Sequence, residues 1–294
     1  MDYMEFLNTV CDYIGERADD LTVSVHTAVK NNGVKLSGLT FGCKGCNASP
    51  TVYMENYYTE YLNGCDVSDI GDRLLAMYYE NTPAVSLDMS FFEDFDTVRD
   101  RLFIKLINRA KNEDFLKEAP YEEFLDLAIV AYVRICDKKI GNGLIMVRNE
   151  HLALWGVDAE RVLDIAKNNT HDHDDFRLRH IMDVLDSMGA NVPLEGADPD
   201  SFPMYVATNE KMSCGAAVLT MKDKLKDFAR MIGTDYYIIP SSVHELILLG
   251  HGTESDTGEI DLMIRQVNES QLGPDEVLSD HVYKYRADDE VLIF

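Results

Sequence analysis

Ser241, Ser242, His244 and Glu245 lie within five residues of one another in "YYIIPSSVHELILLG", Tyr236 to Gly250. A serine hydroxyl, an imidazole and a carboxylate are the parts of a nucleophile, its base and the group that orients the base. They follow a run of β-formers that ends at Pro240, and strand ends are where sites gather in α/β proteins. Side chains this close in sequence rarely reach triad geometry. The competing reading is a polar turn between two buried segments, with Ser242 and Glu245 spaced as a helix capping box. His244-Glu245 also opens like a zinc-protease motif, but the second histidine should stand at position 248, which is Leu248.

A second cluster, His171-Asp172-His173-Asp174-Asp175 with His180 further on, is the densest group of ligand types in the chain. His171, His173, Asp175 and His180 could hold a transition metal. The competing reading is a polar loop feeding a helix over about 175–188, its acids capping free N–H groups at the positive dipole end. Cys43-Lys44-Gly45-Cys46 is a lone CxxC that follows a strand and lacks two further ligands of a structural zinc site. There is no phosphate-binding glycine loop, dinucleotide fingerprint or Gly-x-Ser-x-Gly elbow. No cofactor is expected.

The elements that must position these residues follow from periodicity. Residues 2–18 read as a helix, with Phe6, Val10, Tyr13 and Ile14 at helical spacing. "LTVSVHTAVK", "NNG" and "VKLSGLTFG" read as a hairpin with Val23, Val25, Leu36 and Leu39 buried. A helix is expected over 66–81, with Ile70, Leu74, Leu75 and Tyr78 on one face. "FLDLAIVAYVRI" reads as one central strand, "DAERVLDIAKN" as a helix capped by Asp158, and "PMYVATN" and "GAAVLTM" as paired strands. "KDKLKDFARMIG" reads as a helix closed by Gly233, and "DYYIIP" as a strand. The Gly/Pro/Asp-rich "GANVPLEGADPDS" is the best internal break. The whole reads as α+β, mixed sheets with packed helices in two lobes, 1–115 around the hairpin and 116–294 around the apolar strands.

Composition narrows the function classes. The net charge is −25, from 52 acidic and 27 basic residues, which repels phosphate backbones and anionic lipid and argues against nucleic-acid binding. The charge serves solubility, or meets a basic protein partner or a cation. The first residues lack a signal-peptide pattern, and no apolar run approaches the roughly 18 residues of a membrane span. Six scattered cysteines fit a reducing compartment. The expected location is the cytoplasm.

"AVKNNGVKLSGLTF", "SPTVYMENYYTEYLNG", "FLDLAIVAYVRI", "NEHLALWGV", "AKNNT", "MYVATN", "GAAVL", "YYIIPSSVHELILL" and "RQVNESQLGPDEVLSDHVYKY" occur in that order. In this the chain resembles domain-of-unknown-function family 5688 over nearly its whole length. The resemblance implies a protein of bacteria, mostly anaerobic Gram-positive gut species, and implies no activity, cofactor or catalytic residue. Cys43 and Cys46 stand outside the family pattern. Three functions remain open. The first is a non-catalytic interaction or regulatory protein, with a groove lined by the Asn-Glu pairs and the Ser241–Glu245 stretch. The second is a hydrolase-type enzyme using His244 and Glu245 with Ser241 or Ser242. The third is a metal-binding protein using the 171–180 cluster.

Overall fold

The computed structural model describes residues 1–44, 49–81, 89–137, 141–187, 204–250 and 257–294. Cys46 and "GANVPLEGADPDS" lie outside the described residues. The chain forms two compact units, Met1–Phe91 and Phe92–Phe294.

The first unit runs α1 (Tyr3–Gly15), β1 (Leu21–Val29), β2 (Lys35–Cys43), β3 (Thr51–Tyr53), α2 (Glu55–Leu62) and α3 (Val67–Asn81). Asp2 caps α1 by accepting the Glu5 N–H at 2.9 Å. The hairpin pairs antiparallel from Leu21 opposite Cys43 to Val29 opposite Lys35. Its turn takes the positive φ that Asn and Gly tolerate, 59° at Asn32 and 68° at Gly33. Phe6, Val10, Ile14, Leu39, Phe41 and Leu74 form the centre of one apolar core. Leu36 is only half-buried, because it stands three residues from Leu39 and so faces the other side of the strand. Val23 and Val25, also half-buried, pack against the core from β1.

The second unit begins earlier than the expected 115/116 boundary. After α4 (Phe95–Val98), β4 (Leu102–Asn108) pairs antiparallel with a strand beyond that boundary, so residues 92–115 belong to this unit. There follow α5 (Glu113–Leu116), β5 (Tyr121–Phe124), β6 (Leu127–Asp137), β7 (Gly141–Met146), α6 (Asn149–Trp155), α7 (Ala159–His173), β8 (Phe176–His180) and α8 (Ile181–Ser187). The chain ends with β9 (Met204–Asn209), α9 (Lys222–Ile232), β10 (Tyr236–Ile239), β11 (Leu246–Gly250), α10 (Thr257–Gln271), β12 (Tyr283–Arg286) and β13 (Val291–Ile293). One sheet has β6 as its centre, paired with β4, β5 and β7; the other runs β13-β12-β10-β11-β9-β8. All the described pairings are antiparallel. The protein is α+β.

Helix α7 covers the free edge of β4. Thr170 Oγ1 accepts the Ile104 N–H at 2.9 Å, and Asn169 Nδ2 donates to Leu102 O at 2.9 Å. An exposed edge strand is a template for aggregation, and these contacts close it.

Four local expectations change. "FLDLAIVAYVRI" is a hairpin end plus a strand, because Leu125 turns the chain at φ 57°. "THDHDD" is no loop feeding a helix: α7 runs through to His173, and the next segment is the strand β8. "GAAVLT" is a 3-10 helix, Gly215–Thr220, since β9 already has β8 and β11 as neighbours. No helix follows Ser242, so no capping box forms; residues 240–245 are the turn of the β10–β11 hairpin.

Candidate functional site

The 241–245 turn is positioned by sheet register. Leu246 of β11 stands opposite Ala207 of β9, which brings Thr208 and Asn209 beside the turn. Thr208 Oγ1 donates to the His244 carbonyl at 2.8 Å. Gly215 fits under this contact only because it lacks a side chain: a Cβ there would stand 2.4 Å from Thr208 Oγ1 and 2.5 Å from His244 O.

Within the turn, Ser242 is 5% exposed, and its Oγ accepts the backbone N–H of His244 at 3.0 Å. The Ser242 N–H donates to Glu245 O at 3.2 Å, and the Val243 N–H to Glu276 O at 2.9 Å. Ser241 Oγ reaches Glu245 Oε1 at 3.4 Å. The His244 ring is turned to the segment after β9. Its Nδ1 accepts the Cys214 N–H at 3.2 Å, and its Nε2 stands 4.0 Å from Glu276 Oε1. Burial pushes the imidazole below its usual range, with Lys105 adding to the shift and Glu276, Glu245 and Asp275 opposing it. Neither serine hydroxyl bonds the ring.

Cys214 is the backbone partner of His244. It holds a left-handed conformation, φ 56° and ψ 22°, uncommon for a side chain other than Gly, Asn or Asp. Its thiol packs with Phe103, Tyr132 and Met146, and burial pushes its pKa up. A raised pKa leaves it a thiol rather than a thiolate.

A buried polar group that sequence reasoning missed centres on Arg134 and Asp174. Arg134 Nη2 donates to Asp174 Oδ1 at 2.7 Å and to Tyr132 OH at 3.0 Å. Asn209 Nδ2 donates to Asp174 Oδ2 at 2.9 Å and to Ser213 O at 2.8 Å, while its Oδ1 accepts the Ser213 N–H at 3.1 Å. The Arg134 and Asp174 side chains are 11% and 6% exposed, and the guanidinium lies 3.5 Å from the centre of the Phe103 ring. One signal for it was in plain view: an arginine closing an unbroken apolar strand must find a partner once buried.

The 171–180 residues separate. His171 and His173 occupy the last turn of α7, where cations complement the helix dipole. His171 Nδ1 lies 3.0 Å from Asp172 Oδ1 and its Nε2 3.1 Å from Asp223 Oδ1, and these contacts raise its pKa. His180 ends β8, accepts the Met182 N–H at 3.3 Å and stands edge-on to Tyr205. Asp175 is exposed beyond the helix. Among the described residues no group of three or more His, Cys, Asp or Glu could hold a metal ion. Of the six cysteines, Cys11, Cys65, Cys136 and Cys214 are free and Cys43 is disulfide-bonded. Asn209 and Ser242, two residues of the expected groove, are buried, 3% and 5% exposed.

These features define an antiparallel α+β protein whose most motif-like stretch is a hairpin turn locked to its neighbours. The model of a family of unknown function (DUF5688) matches residues 3–287, and the chain belongs to that family. No curated protein and no solved structure matches it. Among the described residues no helix is long and apolar enough to cross a membrane.

Proposed function

We propose that this is a non-catalytic interaction or regulatory protein of the bacterial cytoplasm. The observation that supports the reading is the commitment of the 241–245 turn to its own architecture. Ser242 Oγ is occupied by the His244 N–H, and His244 Nδ1 by the Cys214 N–H. A base whose accepting nitrogen is taken, beside a serine whose lone pair serves the backbone, is poorly arranged for acyl transfer. In the hydrolase reading Ser241 Oγ meets Glu245 Oε1 at 3.4 Å, but neither serine hydroxyl bonds the His244 ring; metal binding through the 171–180 residues has no converging ligand set among the described residues. Four cysteines are free, as a reducing compartment favours, whereas Cys43 is disulfide-bonded, which such a compartment does not favour. The net charge of −25 supports a basic protein partner rather than a nucleic acid.

The test is a panel of ester, amide and phosphate-ester substrates assayed with the wild type and with His244→Gln. No turnover above background is expected from either. Turnover that His244→Gln abolishes, with the unfolding midpoint unchanged, would overturn the reading.

A further inference from the structure

We propose that the cavity beside Arg134 binds a small molecule carrying an oxyanion, a carboxylate or a phosphate. The cavity, about 340 Å³, lies between the β6–β7 pair and the turn after β9. Its walls include Tyr132, Arg134, Cys136, Leu144, Lys211 and Ser213. Ligand sites begin at roughly this size, about 300 Å³, and combine apolar walls with a few placed polar groups. His244 is not in its lining, so the inference does not rest on the reading of the 241–245 turn.

Charge is the first argument. Acids outnumber bases 52 to 27 in this chain, yet among the described residues the lining holds the cations Arg134 and Lys211 and no carboxylate. Asp174 neutralises Arg134 from behind. Lys211 is exposed and makes no ion pair among the described residues, so it supplies the uncompensated positive charge.

Hydrogen-bond capacity is the second. A guanidinium has five N–H donors. Two are used, both on Nη2, toward Asp174 and Tyr132. Nε and Nη1 have no partner among the described residues, although the side chain is only 11% exposed. Among the described residues no fully buried side-chain nitrogen or oxygen lacks a partner, so these donors are not sealed from solvent, and Arg134 lines the cavity. Asn209 holds Asp174, Asp174 holds Arg134, and Phe103 supports the flat face. A guanidinium fixed in this way with three donors free is preorganised for an anion and loses little freedom on binding. The Ser213 hydroxyl, which donates to Cys214 Sγ at 4.0 Å, lines the same cavity.

Cys136, an exposed free thiol in the cavity wall, gives a local readout. The full chain is titrated with inorganic phosphate and, separately, with succinate, at constant ionic strength. Affinity is read by calorimetry, and the rate of Cys136 alkylation by peptide mass spectrometry. Saturable binding of at least one anion is expected, with matching protection of Cys136. Lys211→Glu, a surface change that leaves the unfolding midpoint alone, is expected to weaken binding at least about tenfold, as loss of one charge-assisted hydrogen bond would. Arg134→Lys should weaken it similarly. Protection by phosphate alone assigns a phosphorylated ligand, and by succinate alone a carboxylate. Failure of both to protect Cys136 at millimolar concentration, or binding that Lys211→Glu leaves unchanged, would overturn the proposal.

Discussion

The two units bury different kinds of side chain. The first closes over Phe6, Phe41, Leu74 and their apolar neighbours, and its polar contacts lie at or near the surface, as between Tyr13 and Asp72 or Tyr79 and Asp20. Among the described residues every buried polar or charged one belongs to the second unit: Asp174, Asn209, Thr170, Ser242, Asn268 and Ser279 are examples. These are joined across long stretches of chain. Tyr283 OH donates to Asp126 at 2.6 Å, and Ser279 Oγ to the other oxygen of the same carboxylate at 2.7 Å. An apolar core tolerates apolar swaps that keep its volume, whereas a buried polar network is stable only when each member finds its partner. The second unit is therefore the more exacting structure, and the one in which a placed charge can serve binding.

The comparison is tested most severely at Asp174. Asp174→Ala leaves the mostly buried Arg134 guanidinium without its counter-ion, and should cost about 3 kcal/mol, the low end for breaking a buried pair because the guanidinium keeps Tyr132 and the cavity, read by urea unfolding. The double change Arg134→Met with Asp174→Leu should recover most of that loss, because a buried pair gains little over apolar groups of its own size. Leu74→Ala in the first unit should cost about 2–5 kcal/mol by transfer and cavity terms, with no partner substitution able to restore it. Thr170→Val is nearly isosteric but leaves the Ile104 N–H unpaired, for about 1–3 kcal/mol. Hydrogen exchange should show the damage first in β4.

Acid should separate the units by sign. His244 has its folded pKa below the unfolded value of 6.5. Its contribution to stability is therefore complete above pH 6.5 and is lost as pH falls below it. His151, also lowered by burial, acts in the same direction, and His171, raised by Asp172 and Asp223, acts in the opposite one. In the first unit the shifted acids Tyr3, Cys11, Tyr13 and Tyr79 start from 9.0 or 10.0 and move up, so they contribute only to weakening at alkaline pH. Hydrogen exchange between pH 5 and 7 should show acid loosening in the second unit, reduced by His244→Gln, and little change in the first. The smallest effect is expected at the exposed helix end, where His173→Ala should stay within about 0.5 kcal/mol.

Much of the fold was legible. Helix α1, the Asn31–Gly33 turn, α3, the Asp158 cap and the Gly233 stop are decided by side chains within a few residues, so periodicity and φ preference suffice. What failed was decided at a distance. "GAAVLT" has strand composition, but the sheet edge it would need is filled by β8 and β11, and Asn209 ties the chain into a tight turn. His171, His173, Asp175 and His180 attract attention as ligand types, yet the consequential acid of that stretch is Asp174, the one whose position at the end of α7 points it inward.

The sequence alone determined the α+β class, the first hairpin and several of the helices, the net negative charge and the family, because each is carried by local pattern or by ordered motifs along the chain. Tertiary structure alone decided which polar residues matter. Arg134 and Asp174 are forty residues apart in the chain, and Cys214 and His244 thirty. Only the packing of α7 and of the turn after β9 against the sheets removes water from these groups and makes their pairing compulsory.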